Sequence, residues 1–287
     1  MSVEFIADRG YKLCKEGRSL ILSVISIGKE HTKLTDKQVL ESVRIAGAYL
    51  DKIANRAPLD YKRIAITPAE TPPLQGDSAY KFTDDSGLRY WLDGDIRLTP
   101  LSHYHVIENE LARDEREGFG MVHLQGPIRF ADLQSSSGHN ALIICTSSDA
   151  RKSERNLRHI KFGKRLLKIN RLTEFTKKIA DLAGATRYAI RDMSYSDVKV
   201  VRAKSELPDL MFALNGLGDL KQTLLEYLAD NHLDELIRIT EAASAFTKPN
   251  SFREERERRL LFAMGSDVSQ HIAVKDKSLA EHIELIV

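Results

Sequence analysis

Apolar residues recur at helical spacing over 35–56, where Val39, Leu40, Val43, Ile45, Ala46, Leu50 and Ile53 follow a 3.6-residue period. Thr35 and Gln38 supply a capping-box start, each side chain satisfying a free backbone N–H of the first turn. Residues 3–27 predict a preceding helix, and the short link 28–33 folds the pair into an antiparallel hairpin. Pro58, Pro68, Pro72 and Pro73, with Gly76 beside them, then exclude a long helix. That stretch predicts a linker over 57–80, with a short strand at 62–66 and the best domain boundary of the chain.

From Lys81 onward the pattern changes. Strands are predicted at 87–92, 95–98, 121–124, 141–145, 186–190, 198–201, 259–262 and 270–274. Helices are predicted at 106–117, 172–183, 218–230 and 233–246. Strands and helices in irregular order indicate an α+β fold rather than a regular βαβ array. The expected layout is an N-terminal helical region over 1–56, the proline-rich linker over 57–80, and an α+β domain over 81–287.

Composition narrows the class. With 287 residues, 42% hydrophobic and 29% charged, the chain reads as an ordinary globular protein rather than a disordered, collagenous or disulfide-framed one. The net charge, 43 − 41 = +2, forces no nucleic-acid or membrane partner. Two cysteines, Cys14 and Cys145, make neither a zinc site nor a disulfide framework; Cys145 lies in an apolar run that predicts a small buried side chain. Glu4, Asp8, Arg9 and Lys12 interrupt any signal-peptide core. No run approaches the roughly 18 apolar residues of a membrane span. A cytoplasmic protein without a membrane partner is expected.

Familiar phosphate-binding glycine loops are missing from the sequence; Gly216 and Gly218 form only a partial match. His103 and His105 would share one face of a strand, but no third ligand accompanies them and no metal is expected. The segment 151–168 is basic. Its Arg155, Arg158, Lys161 and Lys164 are candidate contacts to a nucleic acid or other acceptor, although a solvated face explains them as simply.

The C-terminal run Ser251-Phe-Arg-Glu-Glu-Arg-Glu-Arg-Arg-Leu-Leu-Phe262 allows two conformations. As a helix, Ser251 and Glu254 form a capping box, while Glu254–Arg258 and Glu255–Arg259 form i,i+4 pairs. As an extended segment, Glu255 and Glu257 share one face, because strand side chains alternate with period two. On a helix the same acids would diverge by roughly 200°. A short capped turn leading into an extended E-x-E accommodates the apolar strand that follows.

The pattern Phe252-x-x-Glu255-x-Glu257-x-Arg259 before an apolar strand resembles the C-terminal signature of a broad, largely uncharacterised bacterial family associated with defence. Cys145-Thr-Ser-Ser-Asp149 after an apolar strand resembles that family's middle motif. The order of elements also resembles the R-S-E type of ADP-ribosyltransferase toxin fold. That fold has an arginine on the first core strand, a Ser/Thr-rich strand in the middle and an E-x-E near the end. The resemblance covers roughly residues 81–275 and implies a mixed, largely antiparallel split-sheet core behind the N-terminal helical hairpin. Arg89 matches the first-strand arginine. Thr146, Ser147 and Ser148 match the S-T-S element, here T-S-S, and Glu255 and Glu257 match the E-x-E.

On this resemblance the chain is expected to transfer ADP-ribose from NAD, as substrate, to a macromolecular acceptor, either protein or nucleic acid. Glu257 would stabilise an oxocarbenium-like centre and Glu255 would orient or deprotonate the acceptor. Arg89 would grip the pyrophosphate, while Thr146, Ser147 and Ser148 would face the ribose or position Glu257. Tyr90 or Trp91 would stack on nicotinamide. A bacterial toxin or phage-defence effector with a neutralising antitoxin partner is the implied setting. Two other readings compete. One is a non-catalytic nucleic-acid-binding or protein-interaction module using Arg253, Arg256, Arg258 and Arg259. The other is a metal-dependent nuclease using Asp93, Asp95, Glu255 and Glu257.

Overall fold

The computed structural model describes residues 2–6, 10–29, 66–68, 74–105, 117–125, 129–150, 162–196, 199–204 and 221–286. In chain order the first strands are β1 (Ser2–Ile6), β2 (Gly10–Lys15), β3 (Arg18–Lys29), β4 (Ile66–Pro68), β5 (Ser78–Thr83), β6 (Asp95–Pro100), β7 (Phe119–Gln125), β8 (Arg129–Ser136) and β9 (Ala141–Ser147). They continue with β10 (Arg165–Asn170), β11 (Arg187–Asp192), β12 (Ser194–Tyr195), β13 (Val200–Lys204), β14 (Thr247–Lys248), β15 (Glu257–Ala263), β16 (Ile272–Lys275) and β17 (Ile283–Leu285). The helices are α1 (Asp85–Leu92), α2 (Leu172–Ala183), α3 (Gln222–Asn231), α4 (Leu233–Ser244) and α5 (Lys277–Ala280). The fold is α+β.

The chain divides into two interleaved units: Met1–Glu70 with Arg116–His139 and Ser194–Asn250, and Thr71–Glu115 with Asn140–Met193 and Ser251–Val287. This differs from the sequential layout of 1–56, 57–80 and 81–287, because each unit gathers three separated stretches of chain.

In the first unit the segment expected as a helix over 3–27 is a three-stranded antiparallel meander, β1-β2-β3. Lys15 and Arg18 pair across a two-residue turn whose Glu16 (φ 53°) and Gly17 (φ 78°) are both left-handed. Such a primed turn matches the twist of its strands. Tyr11, Leu13, Leu20 and Leu22 are buried at alternate positions, which is a period of two rather than 3.6. The sheet runs β1-β2-β3-β8-β7-β13-β4. Leucines of α3 and α4 cover one face, Leu225, Leu228 and Leu236 packing with Leu13, Leu20 and Leu124. The helix expected over 35–56, and with it the second arm of the predicted hairpin, lies outside the described residues, as do most of 57–80 and the helix over 106–117.

The second unit has its own core. Its sheet runs β11-β15-β9-β5-β10-β17, antiparallel throughout, with β6 pairing both β9 and β16. Strand β9 lies along β15 from Ala141 to Ser147. Its pairings elsewhere are brief: Ile143 and Leu142 face Thr99 and Pro100 of β6, and only Ser147 faces β5, through Tyr80. Within the sheet β9 and β5 are therefore joined at a single residue pair. Ile144, Leu260, Phe262, Leu167 and Ile169 pack with Phe175 and Ile179 of α2 beneath it.

The strand expected at 87–92 is instead most of α1. Asp84 caps it, its carboxylate accepting from the Gly87 backbone N–H at 2.7 Å and the Ser86 hydroxyl at 2.8 Å. That cap supplies partners that the first-turn donors of a helix otherwise lack, and it outweighs the strand preference of Tyr90 and Trp91. Trp91 is core, stacked on Phe175 at 6.3 Å between ring centroids. Among the described residues, no helix is long and apolar enough to cross a membrane.

Arg258 holds three elements of this unit together. Its Nε and Nη2 donate to the Asp192 carboxylate at 2.6 and 2.9 Å, and its Nη1 and Nη2 donate to the Ser78 and Gln75 carbonyls at 2.7 and 3.0 Å. The arginine side chain is 3% exposed, its aspartate 39%. Asp192→Ala leaves the buried guanidinium only its two carbonyl acceptors and should lower unfolding stability by about 1–2 kcal/mol, discounted because the aspartate is half-exposed. A chemical denaturation midpoint unchanged from wild type would contradict this.

Candidate functional site

The chain reaches β15 through a 3₁₀ turn, Asn250–Glu255, and a left-handed residue, Arg256 (φ 43°). The charged run is thus a short turn leading into a strand. The alternative helix, with its Ser251 capping box and i,i+4 pairs, is not formed: Arg258 binds Asp192, and Arg259 Nε donates to Glu257 Oε1 at 2.7 Å. The departure from the strand conformation at Arg256 sets Glu255 at the end of the turn and Glu257 at the first position of β15. Both acids line one pocket.

The Ser/Thr-rich end of β9 braces that turn. Glu257 and Arg259 sit opposite Ser147 and Cys145 in the β15–β9 ladder. The Ser147 hydroxyl donates to the Glu255 carbonyl at 3.1 Å and the Ser148 hydroxyl to the Arg256 carbonyl at 3.2 Å. Thr146 Oγ1 donates to the Arg258 carbonyl, and the Ser148 backbone N–H donates to that of Arg256 at 2.9 Å. Arg256 Nη1 reaches Asp149 Oδ2 at 2.8 Å. These hydroxyls fix the backbone that carries the acids.

The basic group of the pocket is Lys81 of β5, which sequence reasoning missed. Its Nζ donates to the Cys145 carbonyl at 2.9 Å, in the interval of β9 between its pairings with β6 and with β5. Burial pushes the Lys81 ammonium below the ordinary 10.5, opposed by the Cys145 thiol and the Glu257 carboxylate. Tyr80, Phe82 and Phe162 supply aromatic walls, and Cys145, Thr146 and Ser147 complete the lining. The pocket is a narrow cleft open to solvent; the ≈ 350 Å³ between its walls includes that open space. At the lip, Gly163 (φ +112°) lies so close to the end of β5 that a Cβ would fall 2.3 Å from the Thr83 carbonyl.

Several expected site residues lie elsewhere. Arg89 occupies the last turn of α1 and is exposed, not on a core strand; Tyr90 is 60% exposed beside it, and neither lines the pocket. The reason is the Asp84 cap, which turns the strand candidate into a helix. Lys164 is exposed just before β10, and Arg155, Arg158 and Lys161 lie outside the described residues. His103 falls in a 3₁₀ turn rather than on a strand, its ring edge-on to His271 at 4.6 Å. Asp93 ends α1 and Asp95 is 3.7 Å from Lys275; neither joins Glu255 and Glu257 in the pocket. The arginines of the phosphate-contact reading are also engaged: Arg258 and Arg259 are buried in ion pairs with Asp192 and Glu257. The signal for Lys81 was its place between two aromatic residues in the strand-like run Tyr80-Lys81-Phe82, immediately after the proline-rich stretch.

Chemically, the pocket offers two carboxylates two residues apart, an ammonium group and aromatic faces. Because Lys81 releases its proton more readily folded than unfolded, the unfolded chain binds more protons between its lowered value and 10.5. Stability contributed at this site therefore rises with pH across that window. Lys81→Met should flatten the rise, read as denaturation midpoints from neutral pH to pH ~10; an unchanged slope would refute it. No family model, curated protein or solved structure matches the chain.

Proposed function

We propose that this protein is an ADP-ribosyltransferase, taking NAD as substrate and transferring ADP-ribose to a macromolecular acceptor. The observation that carries the reading is the meeting of Glu255 and Glu257 with Lys81 and the Ser147-bearing strand in one pocket. The brief, one-pair junction of β5 and β9 supports it further, as does the chain order of basic strand, Ser/Thr-rich strand and a strand entered through the two acids.

In this reading Lys81, not Arg89, supplies the positive charge on the first core strand. Its ammonium attracts the pyrophosphate as a point charge, without the planar fork of arginine. Glu257 faces the ribose, and its negative charge favours the oxocarbenium-like transition state over the ground state. The bond between the ribose C1′ and the nicotinamide nitrogen breaks, and nicotinamide leaves with the bonding electron pair. The acceptor nucleophile then forms its bond to C1′ and passes its proton to Glu255. Thr146, Ser147 and Ser148 act indirectly, by holding the turn that presents both acids. Tyr80, Phe82 and Phe162 offer faces on which a planar ring can stack.

The test is release of nicotinamide from labelled NAD, with separate protein, RNA and DNA pools as acceptors. Glu257→Gln should slow release by about 100- to 1,000-fold, the scale of removing one electrostatic stabiliser, while NAD binding measured by calorimetry is retained. Equal release by wild type and variant, or none from wild type with any pool, would end this assignment.

A further inference from the structure

Glu257 is 3% exposed and its partner Arg259 is fully buried, so this pair meets inside the protein rather than at its surface. A carboxylate removed from water strongly favours its neutral form unless a cation and hydrogen bonds hold the charge. Among the described residues, the charged and titratable groups around Glu257 are Arg259 on its own strand, Lys81 and Tyr80 on β5, Cys145 on β9 and Glu255 at the end of the preceding turn. Glu255 opposes ionisation of Glu257. Lys81 favours it, but its ammonium is committed to the Cys145 carbonyl and its own charge is weakened by burial. Arg259 has neither weakness. Its guanidinium stays charged at any ordinary pH, and its Nε bonds one carboxylate oxygen at 2.7 Å.

The geometry of this bond is also constrained. Glu257 and Arg259 lie two residues apart on one strand and so share a face. Pairing along β9 fixes the backbone of both, Glu257 opposite Ser147 and Arg259 opposite Cys145. The carboxylate therefore has one oxygen tethered from a rigid strand while the residue lines the pocket.

We propose that Arg259 is a positioning residue for Glu257, keeping its carboxylate ionised within the buried site and fixing the orientation in which it faces the pocket. The inference rests on the functional reading above only for its kinetic consequence; the state of the carboxylate is measurable without any reaction.

The experiment is a ¹³C NMR titration of the Glu257 side-chain carboxyl in the full chain labelled at glutamate, with the resonance identified by its loss in Glu257→Gln. Arg259→Gln should raise the titration midpoint by about 1–3 pH units, the usual effect of removing an adjacent cation. Arg259→Lys, which returns a charge, should bring it back most of the way. If Arg259→Gln does not fold, Arg259→Met, which keeps the aliphatic stem without the charge, takes its place and should show the same rise. A midpoint that stays at the wild-type value in the folded variant overturns the proposal. Nicotinamide release is read on the same samples: Arg259→Lys should lower kcat by about tenfold with KM nearly constant, as for an interaction that strengthens in the transition state. A shifted midpoint with no release from wild type would leave Arg259 in its role and remove the ADP-ribosyltransferase reading. Normal release with an unmoved midpoint would do the reverse.

Discussion

Three consecutive charged residues begin β15, and all three are buried. Glu257, Arg258 and Arg259 are tolerable there only because each charge has a counterpart, since an isolated buried charge costs far more than a fold of this size can offset. Strand alternation makes the solution possible. Arg258 points to one side, to Asp192 and two backbone carbonyls, while Arg259 and Glu257 satisfy one another on the other. One side of the strand is an architectural tie and the other carries the pocket. The register of β15 therefore matters twice, because a one-residue slip would exchange the two sets.

The hydroxyl cluster gains a different meaning from this arrangement. Thr146, Ser147 and Ser148 donate to the carbonyls of Arg258, Glu255 and Arg256, so they act on the backbone that carries the acids. A left-handed Arg256 has no freedom of the kind glycine gives, and its conformation is held from both sides by these bonds and by Asp149. The Ser/Thr-rich strand thus fixes the spacing of two carboxylates.

Much of this unit was legible in the sequence. The apolar runs at 141–145 and 259–262 mark two central strands, but the extended E-x-E is met only by Glu257: Glu255 ends a 3₁₀ turn and Arg256 is left-handed, so the two acids do not share a pleated segment. The departures at Glu16-Gly17 and Asp84 share a cause, since local turn and cap chemistry there outweighs the broader apolar pattern. Glu16-Gly17 is a two-residue hairpin turn between alternating segments, yet the dense leucines and isoleucines around it suggest a helix. Asp84 caps a helix where aromatic residues suggest a strand, and this moves Arg89 off the sheet. Lys81 was hidden for another reason. Its place between Tyr80 and Phe82 marks a strand, but its role comes from long-range placement beside a strand more than 60 residues away.

The gap between β5 and β9 has one last implication. Where two neighbouring strands diverge, a main-chain oxygen loses the amide that would ordinarily meet it, and here an amine on a long aliphatic stem reaches across to Cys145. The most polar wall of the cleft is accordingly also a stitch in the sheet. Replacing that lysine alters how the two strands are fastened as well as the local charge, so electrostatics and architecture at this position change together.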